Sequence, residues 1–289
     1  MFNDTTLASY HNFPIDARDF GAIDHKMPNE VNMNLQIKYQ GANIKSSAVM
    51  NFNDSKLKIN GGITLTVNPT TEMNFSGING GIETFPNSQM IFPQDFVINL
   101  KSNTYSNCNG TNFSTLDEGI YWNGFYSLSP SLISFQNCTF NNTYSSVRVI
   151  DSYNNPINII NNNFNIPLSN ALDIQNAKRI YIYGNNFLLS DEISSSSSGI
   201  KINNFNLQGG VSKISIVLEN NYFRNGKLHL IIKGLAGNYM PIFVTNNYFG
   251  DSPENIVLMY VSGDITNNII NNNFDYHNAF ALFGFQFNY

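Results

Sequence analysis

Charge is scarce in this chain: Asp, Glu, Lys and Arg make up 12% of its 289 residues, about half the share of an ordinary globular domain. The net charge is −5 and no basic block occurs, so neither a nucleic-acid partner nor an anionic membrane surface is expected. No apolar run reaches the roughly 18 residues a spanning helix needs, so membrane insertion is not expected either. The opening M-F-N-D-T-T-L-A-S-Y has neither the basic nor the apolar region of a signal peptide. Only two cysteines are present, Cys108 and Cys138, each preceded by Asn. A disulfide between adjacent coils is one reading and a pair of buried thiols is the favoured one. His11, His25, His229 and His277 lack metal-ligand spacing. No segment carries a helical hydrophobic period, which excludes leucine-rich and helical solenoids.

What the chain has in abundance is asparagine, fifty residues of it. Much of it falls in one recurring phrase: two alternating aliphatics, an Asn-Asn corner, then Phe. It reads I-S-I-V-L-E-N-N-Y-F up to Phe223 and returns at Phe164, Phe187, Phe249 and Phe274, with a looser copy at Phe140. A repeat of about two dozen residues that alternates like a strand predicts a solenoid. The expected fold is all-β, a right-handed parallel β-helix of about 9 to 11 coils of roughly 23 to 28 residues. Each coil stacks in register on the one below, so the Ile and Phe positions form inner columns. Asn suits the corner because it tolerates the left-handed backbone and its amide donates and accepts along a stack.

Taken in order, residues 1–35 show no coil period and read as a capping segment for the first coil. Residues 36–289 read as one β-helix domain, with loop insertions near 106–118 and 188–198, the second containing five consecutive serines. Residues 98–105 read as a further copy of the phrase, with Tyr105 in the Phe position. The aromatic stretch N-A-F-A-L-F-G-F-Q-F-N-Y lacks a polar cap, so another domain or chain is expected to cover that coil end. The motif D-F-G-A, from Asp19 to Ala22, resembles the opening of many β-helix polysaccharide enzymes and phage tailspikes. The stretch I-N-G-G-I-T-L-T-V-N-P-T-T-E-M-N-F resembles the first coils of large bacterial cell-surface β-helix proteins. These resemblances imply the pectate-lyase-like superfold and an extracellular or cell-surface place of bacterial type.

Alignment of the phrases also locates the third strand of each coil. Its first inward residues are expected at Ile120, Val147, Leu172, Ile200, Leu228, Ile256 and Phe280. The next residues then form one outward column: Tyr121, Arg148, Asp173, Lys201, His229, Val257 and Ala281. The candidate ligand-binding residues are Tyr121 and Trp122, as stacking platforms, with Arg148, Asp173, Lys201 and His229. The last four are also the candidate catalytic residues, because a cation beside a carboxylate or imidazole is what lyase chemistry on a uronate needs. The β-helix resemblance implies that polysaccharide lyases and hydrolases work on this face. The bland reading is simple pairing of opposite charges on neighbouring strands.

Known catalytic sets are missing. The polygalacturonase-like N-T-D, D-D, G-H-G and R-I-K do not occur, nor does the lyase-like R-x-P-x-x-R. W-I-D-H survives only as Ile23-Asp24-His25 in the capping segment. The pairs Asp117-Glu118 and Asp191-Glu192 carry carboxylates of the kind calcium takes, but solvated loop charges account for them. No cofactor is indicated. The sequons at Asn109, Asn112 and Asn141 are expected by chance in so Asn-rich a chain. The function expected is a secreted or cell-surface module, non-catalytic, that binds a polysaccharide or cell-surface glycan, adheres, or acts as a spacer. The alternative is a polysaccharide lyase or glycoside hydrolase using the charged column.

Overall fold

The computed structural model describes residues 15–16, 25–26, 30–31, 34–38, 42–45, 49–67, 72–101, 103–117, 119–128, 131–152, 155–190, 198–204, 215–226, 228–234, 242–250, 256–261, 267–270, 272–274 and 280–285. Among them there is no helix. Three parallel sheets hold eleven strands each, and each sheet takes every third strand in chain order. Three strands thus make one coil and the next coil stacks on it, a parallel β-solenoid. One coil runs through Ile157–Ile160, Asn163–Asn165 and Leu172–Gln175. The next runs through Arg179–Tyr183, Asn186–Leu188 and Ser198–Asn204.

Alternation decides what lies inside. On the first sheet Ile133, Ile157, Ile180, Ile216 and Ile242 stand in one buried column. Phe135, Ile159, Ile182, Leu218 and Val244 form the column beside it. The second sheet supplies the Phe column, whose rings from Phe140 through Phe164, Phe187 and Phe223 to Phe249 lie 4.7 to 4.9 Å apart and nearly parallel. Each buried aliphatic or aromatic side chain contributes roughly 1.5 to 3 kcal/mol. Stacked rings add specific contact beyond that area.

The Asn-Asn corner between the first and second sheets divides its labour. The first residue of each pair takes the left-handed conformation: Asn137, Asn161, Gly184, Asn220 and Asn246 have φ between 54° and 67°. The second turns inward. The backbone N and the Nδ2 of Asn162 both donate to Oδ1 of Asn185, at 2.8 and 3.0 Å. Asn185 does the same to Asn221, Asn221 to Asn247, and Asn247 to Asn272. The other Nδ2 proton goes to a carbonyl of the coil below, for example Ile159 O at 2.8 Å from Asn185. Every polar atom of these interior amides is therefore used, which burial demands. Cys138 stands in the same column one coil earlier, and its backbone N donates to Asn162 Oδ1 at 2.9 Å.

Several expectations are corrected by the backbone. Residues 106–118, expected as a loop, hold the strands Tyr105–Asn109 and Asn112–Thr115. Tyr105 begins a first-sheet strand, and Phe113 takes the Phe position opposite Phe140. The phrase is disguised there as N-G-T-N-F, with Gly110 at φ 62° in place of the first Asn and Thr111 in place of the second. Coil pairing also reaches back into the expected capping segment: Ile15–Asp16, His25–Lys26 and Glu30–Val31 pair with Leu35–Ile37, Ala42–Lys45 and Val49–Asn53. Two-residue strands are too short for alternation to register. Residues 19–22, 191–197 and 286–289, which carry the D-F-G-A motif, the serine run and the chain's last aromatics, lie outside the described residues.

Cys108 and Cys138 are free and buried. They are not stacked, since Cys108 pairs in register with Phe135 on the first sheet while Cys138 sits at the corner. Burial pushes both thiols up, Cys138 to about 11, so neither is a ready nucleophile.

Two substitutions test the corner. Asn185→Leu strands the donors of Asn162 in the core and should lower the unfolding free energy by about 3 to 5 kcal/mol in denaturant titration. Among the described residues, Ile166 is the one of thirteen non-glycine positive-φ residues that is neither Asn nor Asp, at φ 48° and 46% exposed. Ile166→Asn should therefore raise stability by about 1 kcal/mol; a loss would show that this side chain is held by contacts outside its own corner.

Candidate functional site

The outer face of the third sheet is where the charged column was expected, and its middle is as expected. Val147, Leu172 and Ile200 pair in register and are buried, and Arg148, Asp173 and Lys201 stand in register beside them. Arg148 Nε lies 3.7 Å from Asp173 Oδ2. The guanidinium carbon is 5.1 Å from the ring centroid of Tyr126. Arg148 is thus held between an aromatic face and a carboxylate, and Gln175 Nε2 donates to Asp173 Oδ1 at 3.4 Å. The ion pair is half in solvent on the Arg side, 47% against 11% for Asp173, so it contributes under about 1 kcal/mol to stability. Lys201 continues the column with no ion-pair partner among the described residues.

Both ends of the column are corrected. Tyr121 precedes the strand Gly124–Leu128 and is half-buried; its carbonyl accepts a hydrogen bond from Asp95 N at 2.9 Å. The residue paired with Arg148 is Tyr126. Trp122 is buried, 4.4 Å from Phe92 and 5.7 Å from Phe125 between ring centroids, and its Nε1 donates to Asn141 O at 3.0 Å. A side chain so enclosed is core, with its one polar handle satisfied, and it offers no platform to a ligand.

His229 is the second correction. Ile200 pairs with Leu230, not Leu228, so the outward neighbour of Lys201 is Ile231. The register then shifts between Leu228 and Leu230 against the following strand, Ile256–Val261. His229 occupies the corner position that Ser146, Ala171 and Gly199 hold on the three coils before, all buried. Those residues are small. Gly199 has no room for a Cβ, which would lie 2.9 Å from the Phe223 ring. The imidazole is fully buried and stacks 5.6 Å from Phe223 and 6.0 Å from Phe249. Its Nε2 meets Asn225 O at 2.8 Å, while Nδ1 is buried without a partner among the described residues. Val257 and Ala281, expected outward, fall in register with Leu230.

Sequence reasoning missed the lower half of this face. Asn51, Asn74 and Asn99 precede Tyr126 in the same column. Asn74 Nδ2 donates to Asn51 Oδ1 and Asn99 Nδ2 to Asn74 Oδ1, both at 2.9 Å, with Glu72 accepting from Asn99 Nδ2 at 3.1 Å. The repeated M-N-F of Met50–Phe52 and Met73–Phe75 was the available signal. Seven consecutive coils, from Asn51 to Lys201, therefore present an amide, aromatic and charged row about 4.8 Å apart. Among the described residues no three His, Cys, Asp or Glu side chains gather as metal ligands. Asp191 and Glu192 lie outside the described residues. The chain matches no family model, no curated protein and no solved structure.

The buried imidazole makes stability depend on acid. Burial pulls the His229 pKa down to about 4, partly offset by the Asn225 carbonyl. The unfolded chain, with His near 6.5, then binds the extra proton more readily, so stability falls as pH drops from about 6.5 to about 4, by about 3 kcal/mol in all. Unfolding titrations of wild type and His229→Phe across this range should show that slope in wild type alone; equal slopes would place the acid sensitivity elsewhere.

Proposed function

We propose that this chain is a non-catalytic solenoid module that binds glycan along the outer face of its third sheet, as an adhesive or spacing part of a secreted or surface-displayed protein of bacterial type. The observation that carries the reading is the row of Tyr126, Arg148, Asp173 and Lys201 in strict register on one face, with Arg148 fixed between ring and carboxylate. Such a row offers a stacking face, donors and acceptors at a repeating interval, which suits a repeating ligand. The fold and the likeness of the early coils to bacterial cell-surface β-helix proteins support the same reading.

The alternative, a lyase or hydrolase working on this face, loses its imidazole to the core. Asp173, its remaining candidate base, is engaged by Arg148 and Gln175. A base tied to a cation is a positioning group more readily than a proton acceptor.

A glycan array that includes acidic and neutral chains, read together with an assay for new unsaturated or reducing ends, tests the proposal. Binding without turnover is expected, and Arg148→Ala or Lys201→Ala should weaken binding of an acidic glycan by about 10- to 100-fold. Turnover that Lys201→Ala abolishes in a folded protein would overturn the non-catalytic reading. Absence of binding across the array would overturn the glycan reading and leave the spacer role.

A further inference from the structure

A second surface departs from the polar plan of the outer faces. On the first sheet one outward column reads Gln36, Lys58, Glu83, Asn107, Ser134 and Asn158 over six coils. It then changes to Tyr181, Val217 and Phe243. The column beside it carries Tyr183, Glu219 and Thr245 on the same three coils. All six of these side chains are half-buried. On the three coils before, the same column carries the small polar groups of Asn107, Ser134 and Asn158, so Tyr181, Val217 and Phe243 change its chemistry from hydrogen bonding to apolar contact.

The rings are ordered. Tyr181 and Tyr183, two positions apart on one strand, lie with centroids 5.9 Å apart and planes within 8°. Glu219 stands on the next coil in register with Tyr183. Its carboxylate is close enough to Tyr181 to raise that phenol's pKa, after the larger effect of burial and ahead of Tyr183. Both ends of the chemistry a sugar presents are met here: parallel rings for its C–H faces, and phenol and carboxylate groups for its hydroxyls. Around the corner Tyr222 and Tyr248 stack at 4.2 Å, with Arg224 over Tyr222 at 4.6 Å.

We propose that Tyr181, Tyr183, Glu219 and Phe243 form a second glycan site, distinct from the third-sheet row and selective for uncharged sugar chains. The inference rests on the glycan-binding reading above. Selectivity follows from sign: the third-sheet row holds two cations to one anion, whereas on this face Glu219 is balanced by the exposed Arg179 two residues before Tyr181, so no net positive charge draws a uronate while the carboxylate accepts from neutral hydroxyls.

Binding of a cello-oligosaccharide and of an oligogalacturonate, measured by calorimetry on wild type, Tyr181→Ala/Tyr183→Ala, Glu219→Gln and Lys201→Ala, tests it. The double variant should lose the neutral ligand by about 10-fold or more and keep the acidic one, while Lys201→Ala should do the reverse. Glu219→Gln, which preserves shape if the double variant fails to fold, should let the acidic ligand compete at this site. Neutral binding that survives the double variant, or that Lys201→Ala alone removes, overturns the second site and leaves the first standing. Wild type that binds neither ligand overturns both.

Discussion

The structure depends on one constraint: a corner that turns the chain inward must bury amides, and a buried amide has to be satisfied on every side. Asn is the side chain that meets this within one column, because its Oδ1 takes two donors from below while its Nδ2 gives one proton upward and one back down. Asn162, Asn185, Asn221 and Asn247 do so with the same geometry coil after coil. Once this column is in place the spacing of the coils is set, and the Ile and Phe columns fall into stacking distance. Where the column runs out of Asn, smaller groups carry it on: Cys138 through its backbone, then Thr111 with Ser88 at 2.9 Å and Thr84.

Much of this was legible in the chain itself. The phrase ending at Phe164, Phe187, Phe223 and Phe249 states the alternation, the corner and the ring column outright. Its two Asn look interchangeable, however, and the division between a left-handed first residue and an interior second one needs backbone angles to be seen. Phe113 was hidden because Gly110 and Thr111 perform the two Asn tasks under other names. The candidate site was legible only where strand starts are regular. Arg148, Asp173 and Lys201 fell in line, whereas the stretch before Tyr126 and the strand of His229 displace their neighbours. A displacement of one position exchanges the two faces of a strand, which is how a core histidine was placed on the surface.

The outer faces are what remains free for function, because the interior is fully committed to packing. On the third sheet Arg148, Asp173 and Lys201 alternate in sign, and on the first sheet three coils replace small polar groups with Tyr181, Val217 and Phe243. A solenoid can afford such local changes: a residue on an outer column touches the coils above and below and little else, so one face can specialise without disturbing the stack.

Each interior amide from Asn162 to Asn247 gives its backbone N–H and one Nδ2 proton to the side chain on the coil that follows it, and the other Nδ2 proton to a carbonyl of the coil before. The column is therefore polar, with its acceptors already filled by the earlier coil and its donors held out toward the later one. A finished coil is thus a half-complete hydrogen-bonding template for the coil that follows it. One end of the column therefore presents acceptors and the other presents donors, so the two ends of the stack are not alike.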